Sequence, residues 1–496
     1  MNNLSLFLSL PAAVAFFIPV VSRRAKWFPD IIANLTTFSL LLLSLLTLNR
    51  EVVYKIGNWP APYGIVLVLD GFSCMMLVIV NIIGFMVTLF SVEYIERFYT
   101  SKLRYYSLLL LCMTGMNGAI LSGDIFNVFI FLELALVSSY ALVGFGCSNK
   151  DLEAGFKYLV INLLASNLIL FGIVLMYGKF ATLNMAHISQ MLYSGGNNDI
   201  MVMFAFVLFL VGFGTKSALV PFHGWVPDAY MSAPAPVSAL LAGGIIKSLG
   251  VYVLLRLTYN VFGITPMVST IFMYAGAISI IIGVLMALGQ WNLKRLLAYH
   301  SISQIGYIIL AFGIGSPLAM LGGIFHILNH SLFKSLLFLN AGSIEYETDT
   351  LDLNKLGCLI KKMPVTSNSA LIASLSISGI PPFNGFWSKL IIIVAAIQAG
   401  KPVFALWAVI GSILTLASFT KFQRYAFFGC GKKYDESRYG GVAEVPSLMR
   451  IPVVVLAVLC TITGLLLLGG LNGIFGPVVN VLAGGHISYI SEVLGQ

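Results

Sequence analysis

The chain is a succession of apolar runs about twenty residues long, nearly free of charge, separated by short segments that hold most of its Lys, Arg, Asp and Glu. A helix of about 20 residues crosses the roughly 30 Å of hydrocarbon in a bilayer. In lipid, backbone polar groups must be satisfied within the chain, so helices are the expected elements. Composition agrees, with 59% hydrophobic and 9% charged residues and a mean hydropathy of +0.95. A soluble domain carries about 25% charged residues. These charges are too few to cover a water-facing surface, so the solvent is lipid. A soluble enzyme and a disordered chain are excluded, and no nucleic-acid partner is expected despite the net charge of +9.

Fourteen spans follow: 4–22, 28–48, 68–91, 105–122, 124–146, 155–178, 201–220, 235–261, 267–289, 295–313, 317–340, 366–396, 403–428 and 451–470. Residues 1–496 read as one integral membrane domain, all-α and polytopic. The tail at 471–496 is short, apolar and rich in Gly, and is expected at the interface. A secretory signal carries positive charge before its apolar run. Here Arg23, Arg24 and Lys26 come after it, which predicts a retained first helix with its N-terminus outside.

The loops test that orientation, because cytoplasmic loops are enriched in Lys and Arg. External loops receive five cations: Arg50, Lys55, Lys179, Arg256 and Lys401. Four more, Lys216, Lys247, Lys334 and Lys389, fall within spans, and the remaining 19 of 28 are cytoplasmic. The asymmetry supports fourteen spans with both termini extracytoplasmic. No two of the six cysteines have zinc-ligand or CxxC spacing, and most lie in apolar runs, so they read as small buried hydrophobes. No iron–sulfur or haem attachment motif is present, and no redox cofactor is expected.

A Lys at a helix centre costs about 2.5–3.5 kcal/mol on insertion scales. Four lysines rival the whole stability of an ordinary protein, about 5–15 kcal/mol. Each could be held statically by snorkelling or by a carbonyl. Intramembrane ionisable residues as a set, however, mark ion or proton paths. Burial disfavours a charged amine and a nearby carboxylate favours it. A Lys whose distance to a Glu changes can therefore take up and release a proton. Glu133 sits well inside a span and is the expected partner of Lys216.

His326, His330 and Lys334 recur at every fourth position in FHILNHSLFKSLLF, which places them on one helix stripe. A zinc site would need a third ligand and would face the lysine's charge, so no metal is expected. Packing histidines and a hydrated proton path both remain open. So do packing, capping and helper roles for His223, and packing or proton uptake for His300.

Two spans carry mid-span prolines, which break a helix: VGFGTKSALVPFHGWVPDAY and LSISGIPPFNGFWSKLIII. Pro221-Phe222-His223-Gly224-Trp225 in the first is echoed by Pro382-Phe383-Asn384-Gly385-Phe386 in the second. Paired interrupted spans are a pointer to a transport site, and a separation of five spans would give the two units opposite topology.

These stretches resemble the antiporter-like membrane subunits shared by Mrp-type cation/proton antiporters, respiratory complex I and membrane-bound hydrogenases. The matching segments are FNVFIFLELALVSSYALV, KSALVPFHGWVPDAYMSAPAPVSALLAGGIIKSLGVYVLLR, LKRLLAYHSISQIGY, HILNHSLFKSLLFLNAGSI and GIPPFNGFWSKL. The resemblance implies two inverted five-helix repeats, spans four to eight (105–261) and nine to thirteen (267–428), each with a broken helix. It implies a modulating Glu133 with its paired Lys216, then Lys247, a central pair His330 and Lys334 with His326 as helper, and a terminal Lys389. Some complex I paralogues have Glu at that last position. Larger paralogues add a C-terminal arm, and the stop at Gln496 resembles the D-type Mrp subunit or its hydrogenase counterpart.

The expected function is proton translocation within a multi-subunit Mrp-type Na+/H+ antiporter of a plasma membrane. The partners are then other membrane subunits and the lipid bilayer, and the ions H+ and Na+. The alternative is the homologous pump subunit of a membrane-bound hydrogenase or complex I-like oxidoreductase. An inert scaffold would tolerate loss of all four lysines.

Overall fold

The computed structural model describes residues 3–21, 27–48, 50–195, 199–431, 433–434, 439–465 and 470–495. The cations expected at Arg23, Arg24, Lys26, Lys432 and Arg438 lie outside these residues. The first helices are α1 (Leu6–Val21), α2 (Phe28–Leu46), α3 (Gly71–Phe98), α4 (Lys102–Leu121), α5 (Ile125–Val143) and α6 (Asn149–Phe180). Next come the short α7 (Met185–Gly195), then α8 (Ile200–Lys216), α9 (Val226–Ser232) and α10 (Ala235–Val261). The second half holds α11 (Pro266–Leu288), α12 (Leu293–Ile314), α13 (Pro317–Thr348), α14 (Pro364–Ser378), α15 (Asn384–Gln398) and α16 (Pro402–Phe428). The chain closes with α17 (Ser447–Leu465), α18 (Leu471–Ala483) and α19 (Gly485–Leu494).

Nine helices among the described residues are long and apolar enough to cross a membrane, and three shorter ones are apolar. The protein is a multi-pass helical membrane protein. A small antiparallel hairpin, β1 (Val52–Lys55) and β2 (Val66–Leu69), pairs Val52 with Leu69 and Lys55 with Val66, in the expected loop before span three and the first two residues of that span (68–91). Helix starts follow local chemistry. Asp124 accepts from the amides of Phe126 and Asn127, and Pro opens α11, α13, α14 and α16, where a missing N–H costs nothing.

Burial sorts the helices by neighbour. The apolar window of α10 is wholly buried, whereas α6 and α16 present Phe156, Leu164, Val174, Leu406 and Ile413 outward. Those exposed side chains face the solvent the composition requires. Helix α13 carries His, Asn, Ser and Lys along its length, and it buries them against protein.

A set of contacts recurs at one constant spacing, that from Asp124 to Asn292. The backbone of Asp124 bridges to Asn184, and that of Asn292 bridges to Asp352. Ile125 N–H donates to the Leu183 carbonyl at 2.9 Å, and Leu293 N–H to that of Leu351 at 3.0 Å. Asn184 N–H donates to the Thr182 hydroxyl and Asp352 N–H to the Thr350 hydroxyl, both at 3.3 Å. Helices α6 and α13 have 32 residues each, open on the side chains of Ser148 and Ser316, and close on left-handed residues, Ala181 and Asp349, both at φ 52°. Register is therefore kept residue for residue through both segments. Only TLNM at 182–185 and TLDL at 350–353 hint at it in the sequence.

Several expectations need correcting. Arg256, expected in an external loop, is buried within α10 and ion-paired to Asp70 at 2.6 Å. Asp70 caps the start of α3 and is itself fully buried. Cys358 and Cys430 form a disulfide, with Cα atoms 5.5 Å apart, and Cys147 is exposed; Cys112 and Cys460 are buried as expected. The tail folds as two helices that pack back on the bundle. There Asn260 Nδ2 donates to the carbonyls of Val481 at 2.8 Å and Gly485 at 3.0 Å.

Candidate functional site

Both proline-bearing spans are broken, in the same way. The first unwinds between Lys216 and Val226, the second between Ser378 and Asn384. In the first, Ala218 N–H donates to the Thr215 carbonyl, Leu219 to Gly214 and Phe222 to Leu219. In the second, Gly379 donates to Ser376, Ile380 to Leu375 and Phe383 to Ile380, each at the spacing that separates Pro221 from Pro382. Ala218 and Gly379 hold matching positive φ values of 60° and 77°. Gly385 must be glycine, since a Cβ there would lie 1.8 Å from the Ser376 carbonyl oxygen.

Breaking a helix leaves carbonyls without partners, and in lipid these need protein or water. At the first break Trp225 Nε1 donates to the Thr215 carbonyl at 3.1 Å. Lys216, the last residue of α8, is 3% exposed. Its Nζ donates to the Ser166 hydroxyl at 2.8 Å and to the Asn162 carbonyl at 3.3 Å, both on α6. The Ser166 hydroxyl donates in turn to Glu133 Oε1 on α5. The expected Lys216–Glu133 pairing is thus bridged by a serine, not made as a direct ion pair.

Lys247 is fully buried on a π-helical stretch of α10, Leu241–Tyr252, and its amine bonds the Ala242 carbonyl of its own helix. Wide turns of this kind concentrate at functional sites. On α13, His326, His330 and Lys334 are all fully buried. His326 Nδ1 meets the Ser388 hydroxyl at 2.9 Å on α15, and its ring lies 6.1 Å from that of His330. Neither ring nitrogen of His330 has a hydrogen-bond partner in the protein, so its donor and acceptor capacity is open to water. Lys334 donates to the Leu297 carbonyl on α12. Lys389 donates to the Ile377 carbonyl at 2.7 Å and sits 4.7 Å from the Tyr307 ring centroid.

His223 is half-buried inside the first break, and no hydrogen bond joins it to Lys216, Ser166 or Glu133. His300 is buried and meets the Ser418 hydroxyl at 2.8 Å. Sequence patterns singled out neither Ser166, Ser388 nor Tyr307. One signal for Ser166 was present: Tyr158, Asn162 and Ser166 form a polar stripe at every fourth position of an apolar helix.

The arrangement is that of a polytopic membrane protein with two broken helices, which buries four amines and the His326 and His330 imidazoles inside the protein and holds the half-buried Glu133 next to the first break. The sequence profile of the NADH:quinone oxidoreductase/Mrp antiporter transmembrane family matches residues 122–415, and that of the N-terminus of complex I chain 5 matches residues 56–106. The chain belongs to this family. It is 34% identical over 473 residues to the D-type subunit of the Na(+)/H(+) antiporter of Alkalihalophilus pseudofirmus, covering 94% of each chain. A chain of the Mrp complex from Dietzia sp. DQ12-45-1b superimposes with a TM-score of 0.91 at 29% identity over the whole of both chains. A chain of the membrane-bound sulfane sulfur reductase, an archaeal respiratory membrane complex, does so with a TM-score of 0.90 at 27% identity, again over the whole of both.

Proposed function

We propose that the chain is the proton-translocating, D-type subunit of a multi-subunit Mrp-type Na+/H+ antiporter in a prokaryotic plasma membrane. The observation that carries this reading is the set of buried amines and imidazoles, Lys216, Lys247, His326, His330, Lys334 and Lys389, with the half-buried Glu133 joined to Lys216 through Ser166. A proton enters near Lys216 and Glu133, passes Lys247 and the His330–Lys334 stripe with His326 beside it, and leaves near Lys389. His223 assists at the first break. The likeness to the D-type subunit of the Alkalihalophilus antiporter along 94% of both chains supports Na+ as the exchanged ion and other membrane subunits as partners.

The finer architecture belongs to the same reading. Counting each broken helix once and leaving out the short α7, α1 to α17 supply fourteen spans, with both termini outside. The two sets of matched hydrogen bonds, each at its own constant spacing, support two inverted five-helix repeats, α4–α10 and α11–α16. The test uses inside-out vesicles containing the whole complex. Lys216→Ala and Glu133→Ala should each abolish the sodium-dependent pH change, and unimpaired exchange in a well-expressed mutant would sink the pathway.

A second reading has its own support in the likeness to the sulfane sulfur reductase chain. Redox subunits would then drive the same line. Purification of the native complex separates the two: iron–sulfur or nickel–iron partners favour the redox machine, and small membrane partners alone favour the antiporter.

A further inference from the structure

We propose that Ser166 is a relay residue, its hydroxyl passing the proton between Lys216 and Glu133. This role rests on the proton pathway proposed above.

Serines and threonines inside this chain's helices mostly donate to the carbonyl four residues back. Thr88, Ser91, Thr114, Ser138 and Thr215 all do. Ser166 does not. The carbonyl it would use, that of Asn162, takes the Lys216 amine instead. Its hydroxyl is turned to Glu133 and accepts from Lys216 at 2.8 Å. Only 2% of Ser166 is exposed, so bulk water does not compete. A hydroxyl can accept one proton while donating another, and here each role has one ionisable partner.

The duplicated register adds a second argument. At the spacing that carries Asp124 onto Asn292, Ser166 corresponds to Lys334, Asn162 to His330 and Glu133 to Ser301. One copy carries its ionisable group on the second helix of the unit, and the other carries it on the third. Both third-helix groups reach the second helix of their own copy, Ser166 to Glu133 and Lys334 to the Leu297 carbonyl. Ser166 thus stands where the other half places an ionisable residue of the line. A neutral hydroxyl there keeps Lys216 and Glu133 from locking into a direct ion pair.

The step balances. The Lys216 ammonium gives a proton to Oγ as Oγ gives its own to the Glu133 carboxylate. One N–H and one O–H bond break and two O–H bonds form, leaving an amine, a hydroxyl and a carboxyl. Rotation about Cβ–Oγ resets the hydroxyl.

Ser166→Thr and Ser166→Val are matched in shape and differ in the hydroxyl. In inside-out vesicles with the whole complex, at expression matched by immunoblot, Ser166→Val should lower sodium-dependent proton movement by about tenfold or more. Ser166→Thr should keep at least about half the rate, with the wild-type pH profile. Wild-type rate and profile in Ser166→Val overturn the relay, as does equal loss in both variants. If Ser166→Val does not accumulate, Ser166→Ala is read against the same two outcomes. Glu133→Ala in the same vesicles separates the failures: activity there sinks the pathway, whereas its loss beside an active Ser166→Val sinks only the relay.

Discussion

The amine of Lys389 donates to the carbonyl oxygen of Ile377 at 2.7 Å. Ile377 stands as far beyond Lys216 as Pro382 stands beyond Pro221, the spacing at which the two breaks repeat hydrogen bond for hydrogen bond. Each break therefore has a lysine attached to the same turn: Lys216 grows from it, and Lys389 bonds its carbonyl. The first supplies that lysine from the half-helix before the break, the second from the half-helix after it. Lys389→Met removes the amine and leaves a buried carbonyl unpaired, at a cost of about 1–3 kcal/mol. Exchange in vesicles should cease while the complex still assembles, with a lower melting temperature by fluorescence-detected chromatography.

The pair Asp70–Arg256 joins the start of α3 to the C-terminal part of α10, both side chains buried. Arg256 also donates to Tyr252 and Asn260. Removing one partner strands a buried charge, at about 3–5 kcal/mol. Arg256→Met should sharply reduce assembled complex on native gels, and Asp70→Asn combined with Arg256→Met should restore much of it. A double variant as poor as the single one would count against the pair as the cause.

His330 is held by packing between Phe333 and His326, with no hydrogen bond to either ring nitrogen. His330→Phe keeps the bulk and deletes the proton-carrying nitrogens. A loss of about tenfold or more in exchange is expected with unchanged assembly. Retained exchange would make this histidine a packing residue.

Glu492 lies on α19, outside the spanning helices, and is pushed up to about 7 by burial and then by the Asp70 carboxylate. An acid whose folded value is raised weakens folding as pH climbs from its ordinary value through the raised one. Docking of α19 should therefore loosen between about pH 5 and 8. Glu492→Gln should remove that dependence and strengthen docking at high pH by about 1 kcal/mol, given its partial exposure. Hydrogen exchange of residues 485–494, corrected for intrinsic rates, measures it.

Cys358 and Cys430 are bridged, whereas Cys147 is exposed. Maleimide applied to the purified complex should label Cys147 at once and reach Cys358 and Cys430 only after reduction. Immediate labelling of all three would show open thiols.

What the sequence disclosed was what lipid makes expensive. Lys216, Lys247, Lys334 and Lys389 stood out because an intramembrane charge has few innocent explanations, and the two breaks because proline cannot continue a helix. Ser166 was hidden because helical serines usually satisfy themselves, and only its neighbours reveal that this one does not. Arg256 looked like a loop residue because its partner, Asp70, lies 186 positions away. The register that matches Asp124 to Asn292 escaped because half of the contacts that define it are made by backbone, which tolerates almost any side chain, and the rest by isolated Ser and Thr hydroxyls too common to stand out.

Helices α6 and α13, at 32 residues each, are about 48 Å long, against roughly 30 Å of hydrocarbon. Each must overhang the lipid. In α6 the charged turns come first, with Lys157 tied to Asp228 at 3.3 Å; in α13 they come last, with Glu345 tied to Lys294 at 2.9 Å. The surplus turns of both helices are thus the charged ones, and each set is fastened to a neighbouring element by an ion pair.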